Sequence, residues 1–327
     1  MKAVVRERYG SPDVLEYKEI DRPEPADNQV LVKVHAASLN ALDWHVLRGE
    51  PFLVRLFGFG LFKPKHRILG ADVAGRVEAI GAEVSRFKVG DEVIASGMGG
   101  FAEYTCFRER TIAPKPASIS FEQAAALPVA GITALQALRD KGKIQPGQHV
   151  LVNGASGGVG TYAVQIAKAL GAKVTGVCST RNVEMVRSIG ADHVIDYSKE
   201  QFWQNESEYD LVADAAAFYP VSRSLRALKP GGRYVLIGGS ADLISLIQGM
   251  VMNPIIAKMK GKHVASFIAD VNQSDLEFLG RFLEEGKITS VIDRKYPLRE
   301  TAAATRYMEE EHVRGKVIIE IVQPDSY

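Results

Sequence analysis

A seven-residue run near the middle of the chain has the glycine spacing of a dinucleotide-binding turn. It reads Gly154-Ala155-Ser156-Gly157-Gly158-Val159-Gly160 and lies between an apolar strand, His149–Asn153, and a helical pattern, Thr161–Leu170. Such a turn needs a residue without Cβ beside the pyrophosphate and a small residue where helix packs on strand. Gly157 and Gly160 fill these two places, and the helix N-terminus favours the negative charge. We therefore predict cofactor contacts from Ala155, Ser156, Gly157, Gly158 and Val159.

The residues after the next strand predict which nicotinamide cofactor binds. NAD-specific sites carry Asp or Glu about 20 residues after the turn, where it holds the ribose hydroxyls. This chain has Cys178-Ser179-Thr180-Arg181 there instead. The hydroxyls of Ser179 and Thr180 can both donate to a 2′-phosphate, and Arg181 can bind it with charge-assisted hydrogen bonds. We predict NADPH, with Arg181 as the main discriminator; the alternative is a solvent-facing residue at a helix N-terminus. Tyr197, after the third strand, is predicted to close over the adenine or else to cap the strand end.

Composition indicates an ordinary globular chain in a reducing compartment. The 327 residues carry 40 basic and 39 acidic side chains without a run of like charge, so nothing favours nucleic-acid or membrane-surface binding. No stretch reaches the roughly 18 uninterrupted apolar residues of a membrane span. Leu243–Met259 comes nearest, and polar residues interrupt it. Two cysteines, Cys106 and Cys178, provide no disulfide framework, which predicts the cytoplasm.

The elements that must position these residues change in pattern near residue 120. Before it, short β-rich segments punctuated by Gly and Pro are typical of a small irregular barrel. The predicted strands are Val30–Ser38, Asp72–Ile80, Glu92–Ala95 and Phe101–Phe107. Past residue 290, short strands return at Val291–Ile292 and Val317–Val322 around a helix near Glu300–Glu310. We therefore predict one domain from residues 1–120 and 290–327.

In residues 121–289 strand and helix patterns alternate. The predicted strands are His149–Val152, Lys173–Cys178, His193–Ile195, Leu211–Ala213, Tyr234–Ile237 and His263–Phe267. The predicted helices between them include Thr161–Leu170, Asn182–Ile189 and Val221–Leu228. Six strands linked by helices predict an α/β domain with a doubly wound parallel sheet.

Further motifs make a family resemblance specific. They are Ser38-Leu39-Asn40-Ala41-Leu42-Asp43, Leu69-Gly70-Ala71-Asp72-Val73-Ala74-Gly75, Val89-Gly90-Asp91-Glu92-Val93, Leu127-Pro128-Val129-Ala130-Gly131-Ile132-Thr133-Ala134, Gly190-Ala191-Asp192-His193-Val194-Ile195-Asp196-Tyr197 and His312-Val313-Arg314-Gly315-Lys316-Val317. With the glycine turn, they cover nearly the whole chain. The chain resembles the zinc-free quinone oxidoreductases (zeta-crystallin-like proteins) of the medium-chain dehydrogenase/reductase superfamily. The resemblance implies a GroES-like barrel domain, a Rossmann domain, an active site in the cleft between them, and hydride transfer to quinones or carbonyl-conjugated double bonds.

The sequence also argues against zinc. Structural zinc here would take four thiolates, and catalytic zinc takes three protein ligands. The chain has two cysteines, and Gly70-Ala71-Asp72 stands where related alcohol dehydrogenases carry Gly-His-Glu. Asn40 stands near where they carry a Cys. We therefore expect no metal, and acceptors that spread the incoming charge by conjugation.

The resemblance implies further site residues. Asn40 is expected as the polar contact at the substrate end, and Thr133, opening a helix, as a cofactor or substrate contact. Asp43 is either catalytic or the cap of the helix beginning at Trp44. Four more residues are predicted at the cofactor: Gly238 and Gly239 after the fifth strand, Phe267 at the end of the sixth, and Lys316. Phe267 could equally be a core aromatic, and Lys316 a solvated lysine at a strand end.

Two other functions stay open at this stage, because one fold supports many activities. One is a zinc-independent NADP-dependent alcohol or carbonyl dehydrogenase. The other is a non-enzymatic NADPH-binding sensor or partner protein. The expected partner is a small electrophile, and a homodimer is expected from the superfamily. The apolar segment Leu53–Phe62 either lines a pocket for a bulky acceptor or forms a packed flap.

Overall fold

The computed structural model describes residues 1–204, 206–237, 261–310 and 313–321. The predictions for Gly238, Gly239 and the segment Leu243–Met259 lie outside these residues. The chain divides into two compact units. Met1–Ala130, Asp270–Gly286 and Ser290–Tyr327 form the first unit, and Gly131–Ala269 with Lys287–Thr289 form the second.

The described secondary structure comprises strands, α-helices and short 3₁₀ and π turns. The strands are β1 (Lys2–Val5), β2 (Glu16–Glu19), β3 (Gln29–Leu39), β4 (Asp72–Ile80), β5 (Glu92–Ser96), β6 (Tyr104–Arg108), β7 (Ile112–Pro114), β8 (His149–Asn153), β9 (Lys173–Cys178), β10 (His193–Asp196), β11 (Tyr209–Asp214), β12 (Leu228–Leu236), β13 (His263–Ser266), β14 (Ile292–Pro297) and β15 (Lys316–Glu320). The α-helices are α1 (Ala41–Arg48), α2 (Phe121–Ala125), α3 (Pro128–Gln136), α4 (Gly158–Ala169), α5 (Val183–Ser188), α6 (Val221–Ala227), α7 (Gln273–Glu284) and α8 (Thr301–Glu310). The 3₁₀ turns are Pro12–Val14, Glu109–Thr111, Thr180–Asn182, Phe202–Gln204 and Leu298–Glu300, and the π turns are Arg55–Phe59 and Ala137–Lys141.

The first unit is built on a seven-stranded sheet in the order β14-β15-β3-β4-β5-β7, with β6 also paired to β3. The eleven-residue β3 is long enough to pair with β4, β6 and β15, all antiparallel. Its valines Val30, Val32 and Val34 are fully buried in the core of this unit. The β-branched side chains suit this pleated, buried surface.

The second unit is built on a six-stranded sheet in the order β10-β9-β8-β11-β12-β13, all parallel. Counted within the unit, this is the 3-2-1-4-5-6 order of the doubly wound dinucleotide-binding fold. The predicted fold class is therefore confirmed. In such sheets ligands bind beyond the carboxyl ends of the strands, where the order reverses. Here that point lies after β8, which ends at Asn153.

Three elements differ from the prediction in a way that matters for the site. Helix α4 begins at Gly158 instead of Thr161, so three residues of the glycine turn belong to the helix. Helix α3 begins at Pro128, because proline fits the first turn of a helix, and Thr133 therefore lies in its second turn instead of opening it. Helix α7 falls within the first unit and packs on β7, although it follows the sixth strand of the parallel sheet in sequence. The predicted boundary, residues 121–289, had placed this helix in the second domain.

Candidate functional site

The glycine turn has the geometry that a pyrophosphate-binding turn requires. Gly154 has a φ of 81°, and Gly157 is the N-cap of α4. A Cβ on Gly160 would lie 2.0 Å from the carbonyl oxygen of Gly154, so only glycine allows the helix to approach the strand. A Cβ on Gly157 would meet only that same oxygen, at 3.5 Å. The space beside Gly157 is therefore open, and this part of the chain fits a dinucleotide.

The residues of the turn do not all present groups to a ligand. Ala155 is buried, and its N–H donates to the carbonyl of Val177 at 3.0 Å. It fixes the turn to β9, and its amide is not available to a phosphate; the predicted cofactor contact of Ala155 stays a prediction. The amides of Gly158 and Val159 lie in the first turn of α4, where N–H groups have no acceptor within the helix. These amides remain the candidate pyrophosphate donors.

An asparagine that sequence reasoning missed joins the turn to the end of β9. The Nδ2 of Asn182 donates to Ser156 Oγ at 3.0 Å and to Ser179 Oγ at 3.2 Å. Asn182 is 2% exposed, whereas both serines are half-buried. The two predicted cofactor-binding hydroxyls therefore belong to one hydrogen-bonded group. The only sequence signal for Asn182 was its place at a predicted helix N-terminus.

A second residue that sequence reasoning missed is Asp196 at the end of β10, which accepts a hydrogen bond from the hydroxyl of Thr180. Its carboxylate accepts hydrogen bonds from Thr180 Oγ1 at 2.6 Å and from Ser198 Oγ at 2.7 Å, and Lys199 Nζ lies 3.3 Å away. The hydrogen bonds from Thr180 and Ser198 hold the pKa of Asp196 well below its usual value. Asp196 is therefore an acceptor only, and the single hydroxyl hydrogen of Thr180 is directed to it. In this arrangement the hydrogen is not offered to a 2′-phosphate, and a cofactor contact from Thr180 stays a prediction.

The other two predicted residues of the adenosine end, Arg181 and Tyr197, are on the surface. Arg181 is exposed, in the 3₁₀ turn that follows Ser179. Tyr197 is 41% exposed and follows β10 directly. Phe267 follows β13, is half-buried, and has the Nζ of Lys141 at 5.8 Å from its ring centroid.

A buried polar cluster lies in the first unit around Asn40. The Nζ of Lys316 contacts Asn40 Oδ1 at 2.5 Å and Asp72 Oδ2 at 3.3 Å, with the lysine and aspartate side chains 3% and 0% exposed. Asp72 Oδ2 also accepts from Asn40 Nδ2 at 2.8 Å and from Ser38 Oγ at 2.9 Å. Asp72 Oδ1 accepts from the N–H of Val129 in the first turn of α3, at 2.9 Å. Four donors therefore surround this carboxylate.

Lys316 thus has neither of its predicted roles. It is not a solvated lysine, and its ammonium group is held by Asn40 and Asp72 instead of facing a phosphate. A buried charge needs a partner, and Asp72, distant in sequence, provides it.

Asp43 does not precede its helix as predicted: α1 begins at Ala41 instead of Trp44, and Asp43 lies in its first turn, where its carboxylate contributes to the cap. Its Oδ2 accepts from the N–H of Asn40 at 2.8 Å, which completes a capping box at the start of α1. Its Oδ1 accepts from the N–H of Gly70 at 3.0 Å. Burial raises the pKa of Asp43 to about 6. The residue fixes the start of α1 and, with it, the position of Asn40.

Asn40 and Thr133 are both shielded from solvent, to different degrees. Asn40 is 7% exposed, and its second amide hydrogen makes only a long contact, 3.5 Å, to the carbonyl of Ser38. Thr133 is half-buried in α3.

A third buried group anchors the chain beyond β11. Asp214 is fully buried and accepts from Asn153 Nδ2 at 2.8 Å and from the hydroxyl of Tyr234 at 2.9 Å. It also accepts from the N–H of Ala217, which has a φ of 51°. The loop after β11 is therefore held beside the end of β8, which no local sequence pattern predicts.

Two further findings concern metals and membranes. Within the described ranges, no three His, Cys, Asp or Glu side chains are grouped so as to hold a metal ion. Burial raises the pKa of the Cys178 thiol to about 11. None of the described helices combines the length and apolarity needed to cross a membrane.

Known proteins share this fold and sequence over nearly the whole chain. Residues 26–117 match the family model for the alcohol dehydrogenase GroES-like domain, and residues 189–319 match the model for zinc-binding dehydrogenases. The chain is 36% identical over 323 residues to the chloroplast envelope quinone oxidoreductase homolog of Arabidopsis thaliana, covering 94% of each protein. It is 35% identical to the chloroplastic NADPH-dependent alkenal/one oxidoreductase of the same plant, covering 98% of this chain and 79% of the relative.

Solved structures agree with the sequence relatives. The quinone oxidoreductase of Coxiella burnetii has a TM-score of 0.86 and 33% identity, covering 98% of this chain and 99% of that one. The Escherichia coli quinone oxidoreductase, solved in complex with NADPH, has a TM-score of 0.82 and 26% identity, covering 98% and 100%. This chain therefore belongs to the quinone oxidoreductases of the medium-chain dehydrogenase/reductase superfamily, and it is an oxidoreductase.

Proposed function

We propose that this protein uses NADPH to reduce quinones or α,β-unsaturated carbonyl compounds without zinc. The observation that carries the cofactor choice is the end of β9, where Ser179 and Arg181 stand in place of the carboxylate of NAD-specific sites. Ser179 is joined to the glycine turn through Asn182, so the two phosphate-binding segments form one group. The names of the alkenal/one oxidoreductase and of the NADPH-bound Escherichia coli enzyme support this choice.

The glycine turn and the end of β9 would hold the cofactor. The amides of Gly158 and Val159 would bind the pyrophosphate, and Ser179 with Arg181 would bind the 2′-phosphate. When bound, NADPH supplies a hydride, and a conjugated acceptor disperses the resulting charge onto its oxygen.

Asn40 is the proposed polar contact for that oxygen. Asp72 and Lys316 hold its amide in one orientation, because each occupies one side of it. The second amide hydrogen makes only the 3.5 Å contact to Ser38, and it is the hydrogen available to a substrate oxygen. A donor held in place before the reaction stabilises developing charge without reorganising. Thr133 remains the proposed cofactor or substrate contact on α3.

The surroundings of Asp72 support a zinc-independent reaction. Asp72 stands where the zinc-containing members carry the last residue of Gly-His-Glu. Its two oxygens already accept from four donors: Ser38, Asn40, Lys316 and Val129. A carboxylate satisfied in this way is not a metal ligand, since coordination would displace the buried ammonium group of Lys316.

The proposal is tested by NADPH consumption with chelator-treated protein on quinones, 2-alkenals, enones and saturated alcohols. We expect turnover with the conjugated carbonyl compounds and quinones only, and a higher kcat/KM with NADPH than with NADH. Turnover of saturated alcohols by the metal-free protein would instead favour a dehydrogenase. NADPH binding without any turnover would favour a sensor.

The homodimer and the cytoplasmic location stay predictions. The curated relatives named above carry chloroplast names, and others are named as mitochondrial. Light scattering after gel filtration measures the oligomeric state, and a mass of twice 35.7 kDa is expected.

A further inference from the structure

We propose that Asn182 is a positioning residue for the 2′-phosphate of NADPH, which the chain recognises through Ser179 and not through the neighbouring Thr180. The inference rests on the proposed NADPH preference. It adds which hydroxyl binds the 2′-phosphate and which side chain orients that hydroxyl. Two observations carry it: the bonding of Asn182 and the commitment of Thr180 to Asp196.

The buried side-chain oxygen of Asn182 has no hydrogen-bond partner among the described residues. Asn182 ends the 3₁₀ turn Thr180–Asn182 and runs directly into α5 with helical backbone angles, φ −109° and ψ −3°, so it does not have the extended backbone of an N-cap. Its side chain makes no capping bond. A buried acceptor left unpaired destabilises the fold. A side chain in this arrangement points to a role other than helix stability.

The arrangement directs the two serine hydroxyls outward. Both hydrogens of Asn182 Nδ2 are used, one on Ser156 Oγ at 3.0 Å and one on Ser179 Oγ at 3.2 Å. A hydroxyl that accepts in this way still has its own hydrogen to donate. Ser156 lies in the glycine turn, at the pyrophosphate, and Ser179 at the end of β9, at the 2′-phosphate. Asn182 thereby makes both hydroxyls donors to phosphate oxygens.

The hydroxyl of Thr180 has the opposite role: it donates its hydrogen within the protein, whereas the hydroxyls of Ser156 and Ser179 accept. It donates to Asp196 Oδ2 at 2.6 Å, and a carboxylate offers no hydrogen in return. Ser198 Oγ also lies 3.0 Å from Thr180 Oγ1, so the Thr180 hydroxyl belongs to the hydrogen-bonded group around Asp196 and its hydrogen is not offered to a phosphate. Asp196 is itself 7% exposed and is held by Ser198 as well, so the pair is fixed.

Because the neighbouring hydroxyls of Ser179 and Thr180 differ in this way, substituting each of them gives a matched comparison. We would measure the Kd of NADPH and of NADH by calorimetric titration for Ser179→Ala, Thr180→Val and Asn182→Ala. Loss of a hydrogen bond to a charged group predicts about a tenfold or greater fall in the NADPH-to-NADH affinity ratio for Ser179→Ala. Thr180→Val should leave the ratio within about twofold, because the hydroxyl it removes makes no bond to the phosphate. NADH serves as the control in each variant, because a general loss of folding lowers both affinities.

A double variant tests whether Asn182 acts through Ser179. Asn182→Ala should lower the same ratio, and adding it to Ser179→Ala should lower the ratio no further, since two residues that act as one unit are non-additive. Additive losses in the ratio would overturn the positioning role. An equal loss in Thr180→Val and Ser179→Ala would overturn the assignment to Ser179.

Asp196→Asn provides a second arm if Thr180→Val does not fold. An asparagine amide can donate to Thr180 Oγ1 and release the threonine hydrogen, and the substitution also removes a negative charge near the proposed phosphate site, so both effects should raise the NADPH-to-NADH ratio, together by about threefold or more. An unchanged or lower ratio would count against the role given to Asp196. If the wild-type protein binds NADH as tightly as NADPH, the proposed cofactor preference itself is wrong. That outcome is distinct from the results expected for the variants.

Discussion

Lys316→Met should destabilise the first unit far more than the loss of a surface lysine. The ammonium group of Lys316 is 3.3 Å from Asp72 Oδ2, and the two side chains are 3% and 0% exposed. Removing one partner of a buried ion pair leaves the other charge without compensation, which costs about 3–5 kcal/mol. Asp72 keeps three donors, from Ser38, Asn40 and Val129, so the lower end of that range, about 3 kcal/mol, applies.

The matched control is Lys295→Met. Lys295 is 44% exposed and pairs with Glu122 at 2.8 Å and Glu320 at 3.2 Å. An exposed ion pair of this kind contributes at most about 1 kcal/mol. A difference of about 2 kcal/mol between the two variants is therefore expected from burial alone.

Urea unfolding followed by fluorescence measures this difference. The chain has two tryptophans, and a Trp203→Phe background leaves Trp44, in α1, as the reporter of the first unit. Adding Asp72→Asn to Lys316→Met should cost less than the sum of the single changes, because the two residues interact. Equal destabilisation by Lys316→Met and Lys295→Met would refute the reasoning.

Three further predictions follow from single residues. Arg181→Ala should lower the NADPH-to-NADH ratio of kcat/KM by about tenfold, and an unchanged ratio would remove Arg181 as the discriminator. Gly160→Ala should lower the free energy of unfolding by about 1–3 kcal/mol, because its Cβ would lie 2.0 Å from the Gly154 carbonyl oxygen. Gly157→Ala should lower only the affinity for the cofactor. Urea unfolding measures the first effect, and calorimetric titration measures the second. Burial raises the pKa of Asp43 from its usual 3.8 to about 6, so the stability that its protonated form contributes is complete below pH 3.8 and lost as the pH rises through 6. Asp43→Asn should therefore remove about 3 kcal/mol of pH dependence between those values, measured as unfolding free energy against pH for both proteins.

The fold was predictable because its signals are local. The glycine turn follows an apolar strand and precedes a helix, and these three features occur within about twenty residues, His149–Leu170. The alternation of strands and helices then predicts the parallel sheet. Even so, the start of α4 was placed three residues late, because a glycine-rich segment shows no helical pattern although Gly158 and Gly160 are helical.

The partners of the site residues were not predictable, because they come from distant parts of the chain. Lys316 pairs with Asp72, 244 residues earlier, and nothing in either local sequence indicates it. Asp43 accepts from the amide of Gly70, 27 residues later, which only the fold brings to it. Spacing identifies a turn or a cap, but it does not identify which buried charge meets which.

At the adenosine end, even a partner only 16 residues away in sequence was not predicted. The sequence indicated that hydroxyls replace the usual carboxylate after β9, which the structure retains at Ser179. It gave no indication that a carboxylate from the neighbouring strand, Asp196, would take the hydroxyl of Thr180. Adjacent parallel strands bring their ends together, and Asp196 is level with Cys178 in the sheet. That proximity depends on strand order, which a residue count alone does not provide.

The most direct test of the proposed activity follows the hydride itself. Chelator-treated protein would be incubated with NADPH deuterated at C4 of the nicotinamide and an α,β-unsaturated ketone, and the product analysed by mass spectrometry and NMR. The account predicts one deuterium at the β-carbon of the saturated ketone, in a reaction that does not depend on added zinc. Deuterium at the carbonyl carbon, or a reaction that appears only when zinc is restored, would contradict it.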